Sequence, residues 1–272
     1  GLVNYYLIKN ELISSYDSLL LNKALDSAKI VNEQIENYIT SVETLGTLSK
    51  IANPEIPLDE KLETLRLEKD RFNFTSIGIA DPFGILSLED GQTADIYKEE
   101  YFLRAKSGET YFSEPMINPV NGELEIIIAA PLVYMDNVYG AIVATKSANE
   151  FYEIAENITF GKSGYAFVLN DVADVISHPT IRSGATTNGQ AANFSGLKKL
   201  VENSSVKNIE NMEESIANGQ AGVGAYTKDG TTVRIGFAPM ESTDWTLVVS
   251  IDESEILSGL TSVTRTLVYG IG

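Results

Sequence analysis

The first fifty residues carry an uninterrupted helical pattern, and this pattern limits the possible folds more than any other feature. Apolar side chains recur at steps of three and four residues, the period of a helix with one buried face, at Val31, Ile35, Tyr38, Val42 and Leu45. The stripe extends toward the N-terminus, with one slip in phase, through Leu21, Leu25 and Ala28. We assign the opposite face to polar residues: Asn32, Glu33, Glu36 and Asn37.

Nothing interrupts this helical pattern before Asn53-Pro54, where proline cannot continue a helix. A helix over residues 1–52 is several times the usual length of about 11–12 residues. Such a length is typical of a stalk or spine against which other modules pack.

Two later blocks of the chain follow one plan. The first has a strand hairpin over 77–88, a helix over 99–106, strands at 111–113, 124–133 and 138–145, and a helix over 148–158. The second has a hairpin over 165–177, a largely helical segment over 194–218, and strands at 222–226, 232–239 and 245–251. Each block ends in a similar hairpin, with Ala130-Pro131 in one and Ala238-Pro239 in the other. We therefore predict two copies of one α+β module with antiparallel sheets, the alternative being a chance likeness of short strands.

Composition excludes several classes of protein. Asp and Glu number 38 against 20 Lys and Arg, so the net charge is −18, which repels nucleic acid and anionic membrane surfaces. The chain has no cysteine and one histidine, His178, so thiol chemistry is excluded and a histidine-based metal site or catalytic triad would rest on one residue. We predict no cofactor and no metal.

The ends of the sequence are apolar but shorter than the roughly 20 residues a membrane span needs. Gly1-Leu2-Val3 opens the chain, and residues 267–272 form an apolar run after a helical segment over 252–266. We interpret the chain as a fragment that lies between two spans.

Several short sequence motifs resemble those of a known family. Tyr101-Phe102, Ser107-Gly108, Tyr111 and Ser113-Glu114-Pro115, followed by residues 121–132, resemble the membrane-distal module of double Cache sensor domains. Residues 161–167, Val175 to Pro179 and the strand at 244–249 resemble the membrane-proximal module. The resemblance covers nearly the whole chain. It departs at Ala173, where the family usually has glycine in the hairpin turn.

The resemblance implies two PAS-like modules beside a long N-terminal helix, outside the cell membrane and between two spans. It places the spine helix at 1–52, a ligand-binding distal module at 53–158, a proximal module at 159–252 and an exit helix at 253–272. The implied function is small-molecule sensing in a bacterial receptor, foremost a methyl-accepting chemotaxis protein, which is a homodimer when intact. A histidine kinase, a diguanylate cyclase or a docking domain without a direct ligand stays open.

The resemblance also bears on the ligand. Members that bind amino acids hold the ligand carboxylate with an arginine before the aromatic pair, and the ammonium with an aspartate at the end of the last distal strand. Here those positions align with Glu99 and Thr145, so we expect a ligand other than an α-amino acid bound in that way. Arg104 lies close to the first position.

The candidate ligand site is an aromatic and polar set, of the kind that lines small-molecule pockets. Its members are Tyr97, Glu99, Tyr101, Phe102, Tyr111, Glu114, Met116, Asn118 and Thr145. Glutamate could hold an amine, and tyrosine rings can face a cation. For each residue alone, packing or solvation is the preferred explanation, and the set as a whole is a better candidate than its members.

Two further features favour structural roles. His178 ends a strand, where packing in a turn is preferred over a ligand or pH-switch role. The segment 170–174 has two carboxylates but lacks the glycine and terminal glutamate of a calcium loop, so it is interpreted as a hairpin turn.

Two functions of other classes remain open on sequence alone. A hydrolase would need a nucleophile, a base and oxyanion donors in one place, and composition leaves only a paired-carboxylate glycosidase. A docking domain would have no working pocket, and a tightly packed distal module would favour it.

Overall fold

A computed structural model describes residues 2–179 and 206–260, with the backbone alone for 206–210. Within these residues the chain forms two compact units. The central unit comprises residues 33–151. The composite unit is drawn from residues 2–32, 152–179 and 206–260.

Helix α1 spans Leu2–Thr47 and confirms the predicted spine helix. Its buried stripe consists of Leu20, Ala24, Ala28, Val31, Ile35, Val42 and Leu45. Two assignments on α1 were wrong: Leu25 is 44% exposed, and Asn32 is buried. The phase slip explains the first error, because the stripe continues through Ala24 and Leu20. Asn32 is accommodated because its side-chain oxygen accepts a hydrogen bond from the Ser242 N–H at 2.8 Å.

The helical pattern ends earlier than expected. Leu48 has an extended backbone (φ −68°, ψ 122°), and a short helix α2 follows at Ser49–Ala52 before Asn53-Pro54. Among the described helices, none is both long enough and apolar enough to cross a membrane.

Helix α3, Leu58–Phe72, was missed in the sequence. Its pattern is weak because the buried side chains are only Lys61, Leu62 and Leu65. The helix ends at Asn73, whose left-handed backbone (φ 53°) returns its N–H to carbonyls of the last turn, a common C-terminal cap.

The central unit contains an antiparallel sheet. Its strands are β1 Ser76–Ala80, β2 Ile85–Leu88, β3 Thr93–Asp95, β4 Tyr111–Phe112, β5 Met116–Ile117, β6 Leu124–Tyr134 and β7 Asn137–Ser147. Their order is β3-β2-β1-β7-β6-β4, and β5 also pairs with β6. Helices α4 (Glu100–Lys106) and α5 (Ala148–Glu156) complete the predicted plan. Strands β3 and β5 are too short to have been recognised from periodicity.

The composite unit repeats this arrangement. Its strands are β8 Thr159–Phe160, β9 Gly164–Leu169, β10 Val175–Ser177, β11 Gly222–Lys228, β12 Thr231–Pro239 and β13 Thr246–Asp252. Their order, β10-β9-β13-β12-β11 with β8 beside β9, matches β2-β1-β7-β6-β4 of the central sheet. The predicted α+β class with two antiparallel modules is confirmed. Helix α6 is Val206–Ala217, and residues 253–260 are helical. The expected helical residues 194–205 and 261–266 lie outside the described part.

In each unit, the backbone of a strand lies very close to the backbone of α1. In the composite unit, a Cβ added at Gly236 on β12 would lie 2.7 Å from the Leu21 backbone nitrogen. In the central unit, a Cβ at Gly46 would collide with the Pro131 carbonyl oxygen on β6. Glycine therefore lets helix and strand backbones meet at both places.

The hairpin between β9 and β10 uses the turn chemistry predicted for 170–174. The Asn170 side-chain oxygen accepts hydrogen bonds from the N–H groups of Val172 (3.1 Å) and Asp174 (2.8 Å). Ala173 has φ +62°, the left-handed conformation that favours glycine. The alanine thus keeps the backbone conformation expected at a position where the family usually has glycine.

Candidate functional site

The central unit contains a small, partly open cavity between its sheet and α4. The cavity measures about 10 Å³, roughly the room that one water molecule occupies. Its walls come from β1, β2, α4, the β5–β6 turn, β6 and β7, through Ser76, Leu86, Leu88, Tyr101, Asn118, Val120, Ile127, Val143 and Thr145. Most of the wall is apolar, with a few polar groups.

Two hydroxyl groups form one polar edge of this cavity. Ser76 and Thr145 are paired residues of β1 and β7, and their side-chain oxygens lie 2.9 Å apart. Thr145 is 3% exposed and stands opposite Ile127 of β6. Strand pairing therefore places both hydroxyls on the wall, where either can donate to or accept from a ligand.

Tyr101 contributes an aromatic face from α4. Tyr101 and Phe102 are both buried in the core of the central unit, at 2% and 0% exposure. Burial, with a smaller effect from the Glu99 carboxylate, raises the pKa of Tyr101 well above its ordinary 10.0. The phenol is therefore neutral at physiological pH and keeps its proton, so it can donate a hydrogen bond.

Asn118 connects the cavity to a buried carboxylate. The Asn118 side-chain amide donates to Glu125 Oε2 at 2.6 Å, and the Asn121 amide donates to the same oxygen at 3.3 Å. Glu125 is 1% exposed, and its other oxygen, Oε1, has no hydrogen-bond partner among the described residues. Sequence reasoning missed Glu125, although a lone acid inside the β-branched run of β6 was a visible signal.

The nine predicted site residues do not all meet. Tyr101, Asn118 and Thr145 line the cavity. Phe102, Tyr111 and Met116 belong to the surrounding core, the last two only partly buried. Tyr97 is 51% exposed beneath the Lys106 ammonium, which lies 5.7 Å from its ring centre. Glu114 is exposed, and Glu99 is half-buried just before α4.

Arg104 does not line the cavity, and its positive charge is already paired with carboxylates of this chain. Its guanidinium pairs with Glu100 at 3.1 Å and Glu109 at 3.5 Å, and it lies over the Tyr111 ring. No basic side chain is among the cavity-lining residues in the part of the chain that the structure describes.

The composite unit has open grooves and a buried aromatic cluster. A groove of about 490 Å³ runs beside the end of α6, and its wall includes Asp171, Glu241, Asp244 and Trp245. His178 is 2% exposed, with its ring 5.1 Å from that of Tyr165 and 5.3 Å from that of Phe167. This arrangement agrees with the packing role preferred for His178.

Comparison with known proteins connects the fold to sensory receptors. The model of a family described as "Cache domain" matches residues 8–260. The methyl-accepting chemotaxis protein TlpB of Bacillus subtilis is 23% identical over 274 residues, covering 96% of this chain and 36% of that protein. TlpA of the same organism is 24% identical, covering 90% and 35%. The chain thus spans about a third of the length of these relatives.

Solved structures share the fold at lower identity. The ligand-binding domain of the Pseudomonas fluorescens chemoreceptor CtaA, in complex with L-isoleucine, has a TM-score of 0.71 at 18% identity, covering 92% of this chain and 98% of that one. The extracellular domain of a histidine kinase, mmHK1S-Z2, has a TM-score of 0.66 at 15% identity, covering 90% and 99%.

Proposed function

The chain belongs to the Cache domain family, and from this we propose that it is the extracytoplasmic small-molecule sensor of a bacterial transmembrane receptor, without catalytic activity of its own. The central-unit cavity is the proposed ligand site. The intact receptor is proposed to be a homodimeric methyl-accepting chemotaxis protein in the cell membrane. Two relatives of that class, matched over at least 90% of this chain, support this assignment.

The observation that carries the proposal is the cavity of the central unit, whose wall has both apolar and polar side chains. Apolar side chains from two strands and a turn (Leu86, Val120, Val143) would bury the body of a ligand, while the Ser76 and Thr145 hydroxyls would orient it. Few, fixed polar groups in an apolar wall are the usual makeup of small-molecule sites. Because the cavity is only about 10 Å³, a ligand must displace wall side chains as it enters.

We propose that the ligand is not an α-amino acid bound as in relatives that carry the arginine and aspartate anchors. CtaA was solved with L-isoleucine, at a TM-score of 0.71. At the position of the aspartate anchor this chain has Thr145, whose uncharged hydroxyl replaces the carboxylate that would pair with the ligand ammonium. Arg104, the nearest arginine to the other anchor position, is paired with Glu100 and Glu109.

Signal transmission is proposed to use α1 and the helix that follows β13. Within the composite unit, Arg234 of β12 makes two bonds of 2.7 Å to Asp17 of α1 and one of 3.2 Å to Glu253. The Glu255 carboxylate accepts from the Lys162 and Ser163 N–H groups at 2.6 and 2.8 Å. These bonds join both helices to one sheet, so a displacement of the sheet would be passed to both. A ligand shifts such an equilibrium only by its differential affinity for the two states.

The test is a thermal-shift screen of small metabolites followed by calorimetry on any stabiliser. A ligand at 100 times its Kd stabilises the fold by about 2.7 kcal/mol. Val143→Phe should fill the cavity and abolish binding, while Val138→Phe, on the same strand but 41% exposed, should leave it intact. A broad screen without a stabiliser, or a ligand unaffected by Val143→Phe, would contradict the proposal.

Two alternatives have specific support. The histidine-kinase extracellular domain shares the fold, so this sensor is also compatible with a kinase output; a diguanylate cyclase output belongs to the same alternative. The small volume of the cavity favours a docking domain without a direct ligand. Transfer of residues 1–272 onto a chemoreceptor signalling half, with a chemotaxis assay of the stabilising compound, separates these from the main proposal.

A further inference from the structure

The Glu125 carboxylate is buried and incompletely bonded. Its Oε2 receives two amide N–H groups, from Asn118 and Asn121, while Oε1 has no partner among the described residues. Burial of a polar atom without a partner is unfavourable, and more so for a charged group. A buried carboxylate with one oxygen unbonded is a candidate binding group for a ligand that supplies the missing hydrogen-bond donor.

Strand geometry places Glu125 beside the cavity. Side chains alternate along a strand, so Glu125 points to the same face of β6 as Ile127, which lines the cavity. The two positions are about 7 Å apart along the strand. Asn118, also on the cavity wall, donates directly to Glu125. The carboxylate therefore stands behind the Asn118 amide, and a ligand that displaces this amide on entry would reach Oε1.

The charge near this carboxylate is not balanced by a neighbouring cation in the described wall. Lys146, on β7, pairs with Glu150 at 3.3 Å and lies 4.6 Å from the Tyr38 ring centre. It stands opposite Ile126 in the register, so it points to the other face of the sheet. A ligand carboxylate would thus meet a buried negative charge, whereas a ligand ammonium would meet a carboxylate oxygen that needs a donor.

We propose that the cavity binds a small aliphatic amine in its protonated form, with an ammonium N–H donating to Glu125 Oε1. This inference rests on the proposed sensory function. Leu86, Val120 and Val143 would contact the alkyl chain, and the Ser76 and Thr145 hydroxyls would take further ammonium hydrogens. A quaternary ammonium is excluded because it has no N–H to offer, and a zwitterion is disfavoured because its carboxylate finds no basic partner in the wall.

The experiment compares n-propylamine with n-propanol and propionate, and with methylamine and butylamine, by calorimetry on the whole 272-residue chain at pH 7. We expect binding of the amines alone. Glu125→Gln should weaken it by about 30-fold or more, as for the loss of one partner of a buried charge pair. Glu123→Gln is the matched control, because it removes the same charge from an exposed position of the same hairpin.

Folding of the variants is a second readout. Glu125→Gln should have an unchanged or higher Tm without ligand, because a neutral amide is less costly to bury than a carboxylate. Glu125→Asp keeps the charge but shortens the side chain by one methylene group. This variant should fold, and it should bind the amine more weakly than the wild type does. A lower Tm for Glu125→Gln together with unchanged amine binding would make Glu125 a clamp for Asn118 and Asn121, and would overturn the inference.

The remaining outcomes distinguish a failure of the amine inference from a failure of the proposed sensory function. Equal binding of amines by the wild type, Glu125→Gln and Glu123→Gln overturns the amine assignment. Binding of only an alcohol, an anion or an amino acid, abolished by Val143→Phe, overturns the assignment and leaves the sensory function standing. Absence of binding by every class overturns both, and an ordered water at Glu125 Oε1 would then account for the missing donor.

Discussion

At the scale of single residues, one strongly perturbed titratable group in the composite unit is His178. It is 2% exposed against the rings of Tyr165 and Phe167. Burial, assisted by the positive charge of Lys228, lowers the pKa of His178 from 6.5 to about 4. The imidazole is therefore neutral in the folded protein at neutral pH.

This shift predicts a loss of stability on mild acidification. The unfolded chain takes up the proton at about 6.5 and the folded one only near 4, so the loss begins as pH falls through 6.5 and ends near 4. Between pH 7 and 5, the free energy of unfolding of the wild type should fall by about 2 kcal/mol more than that of His178→Phe. Urea titrations at both pH values measure the difference, and equal falls would show that the histidine is not the cause.

At the scale of elements, the packing of α1 depends on backbone contact as well as on its apolar stripe. Gly236 of β12 lies where a Cβ would meet the Leu20 and Leu21 backbones. Backbone atoms of a helix cannot move aside as a flexible side chain can. The position therefore requires glycine for steric reasons, without a requirement for positive φ.

Gly236→Ala should accordingly lower the free energy of unfolding by about 1–3 kcal/mol, the usual effect of overpacking. Gly259→Ala is the matched control: it lies in the helix at 253–260, where an added Cβ has no neighbour within 4 Å. That change should be neutral or stabilise by up to about 1 kcal/mol, because alanine has the higher helix propensity. Denaturant unfolding compares the two, and equal effects would contradict a contact between strand and helix.

The Arg234 ion pairs join α1, β12 and the helix after β13. The Arg234 and Asp17 side chains are 17% and 18% exposed, so the pair is partly shielded from water. Arg234→Gln should lower the free energy of unfolding by about 1–3 kcal/mol, because two carboxylates lose a charged donor. Arg71→Gln, which removes an arginine 71% exposed beside Glu68, should change it by less than about 0.5 kcal/mol. Similar losses in both variants would mean that the Arg234 pairs contribute no more than a surface pair.

At the scale of the whole molecule, the dominant property is the net charge of −18. Like charges in a compact state repel one another more than in an expanded chain, so folding works against this repulsion. Salt screens it, since the Debye length falls from about 30 Å at 0.01 M to about 10 Å at 0.1 M.

The urea midpoint should therefore rise as NaCl increases from 10 to 300 mM at pH 7, and then level off. Urea is uncharged and does not itself alter ionic strength. KCl at equal concentration should act in the same way, because screening depends on ionic strength rather than on the cation. A flat or falling midpoint would show that local ion pairs, such as those of Arg234, outweigh the net repulsion.

The sequence by itself determined the long α1, the class of fold and most strands, because helix period, strand alternation and turn residues act over a few neighbouring positions. It also identified the duplicated plan, which the matching strand orders of the two sheets reproduce. The weakly patterned α3 and the short strands β3, β5 and β8 were not predicted, since so few of their side chains are buried.

Only the tertiary structure decided which side chains surround the cavity. Tyr101, Asn118 and Thr145 meet there because α4, the β5–β6 turn and β7 pack together, whereas Tyr97 and Glu114 of the same predicted set stay exposed. The burial of Glu125 was likewise decided by the tertiary structure. Whether a glutamate in a strand is solvated or buried depends on which face of the sheet is covered, and the elements that cover it come from elsewhere in the chain.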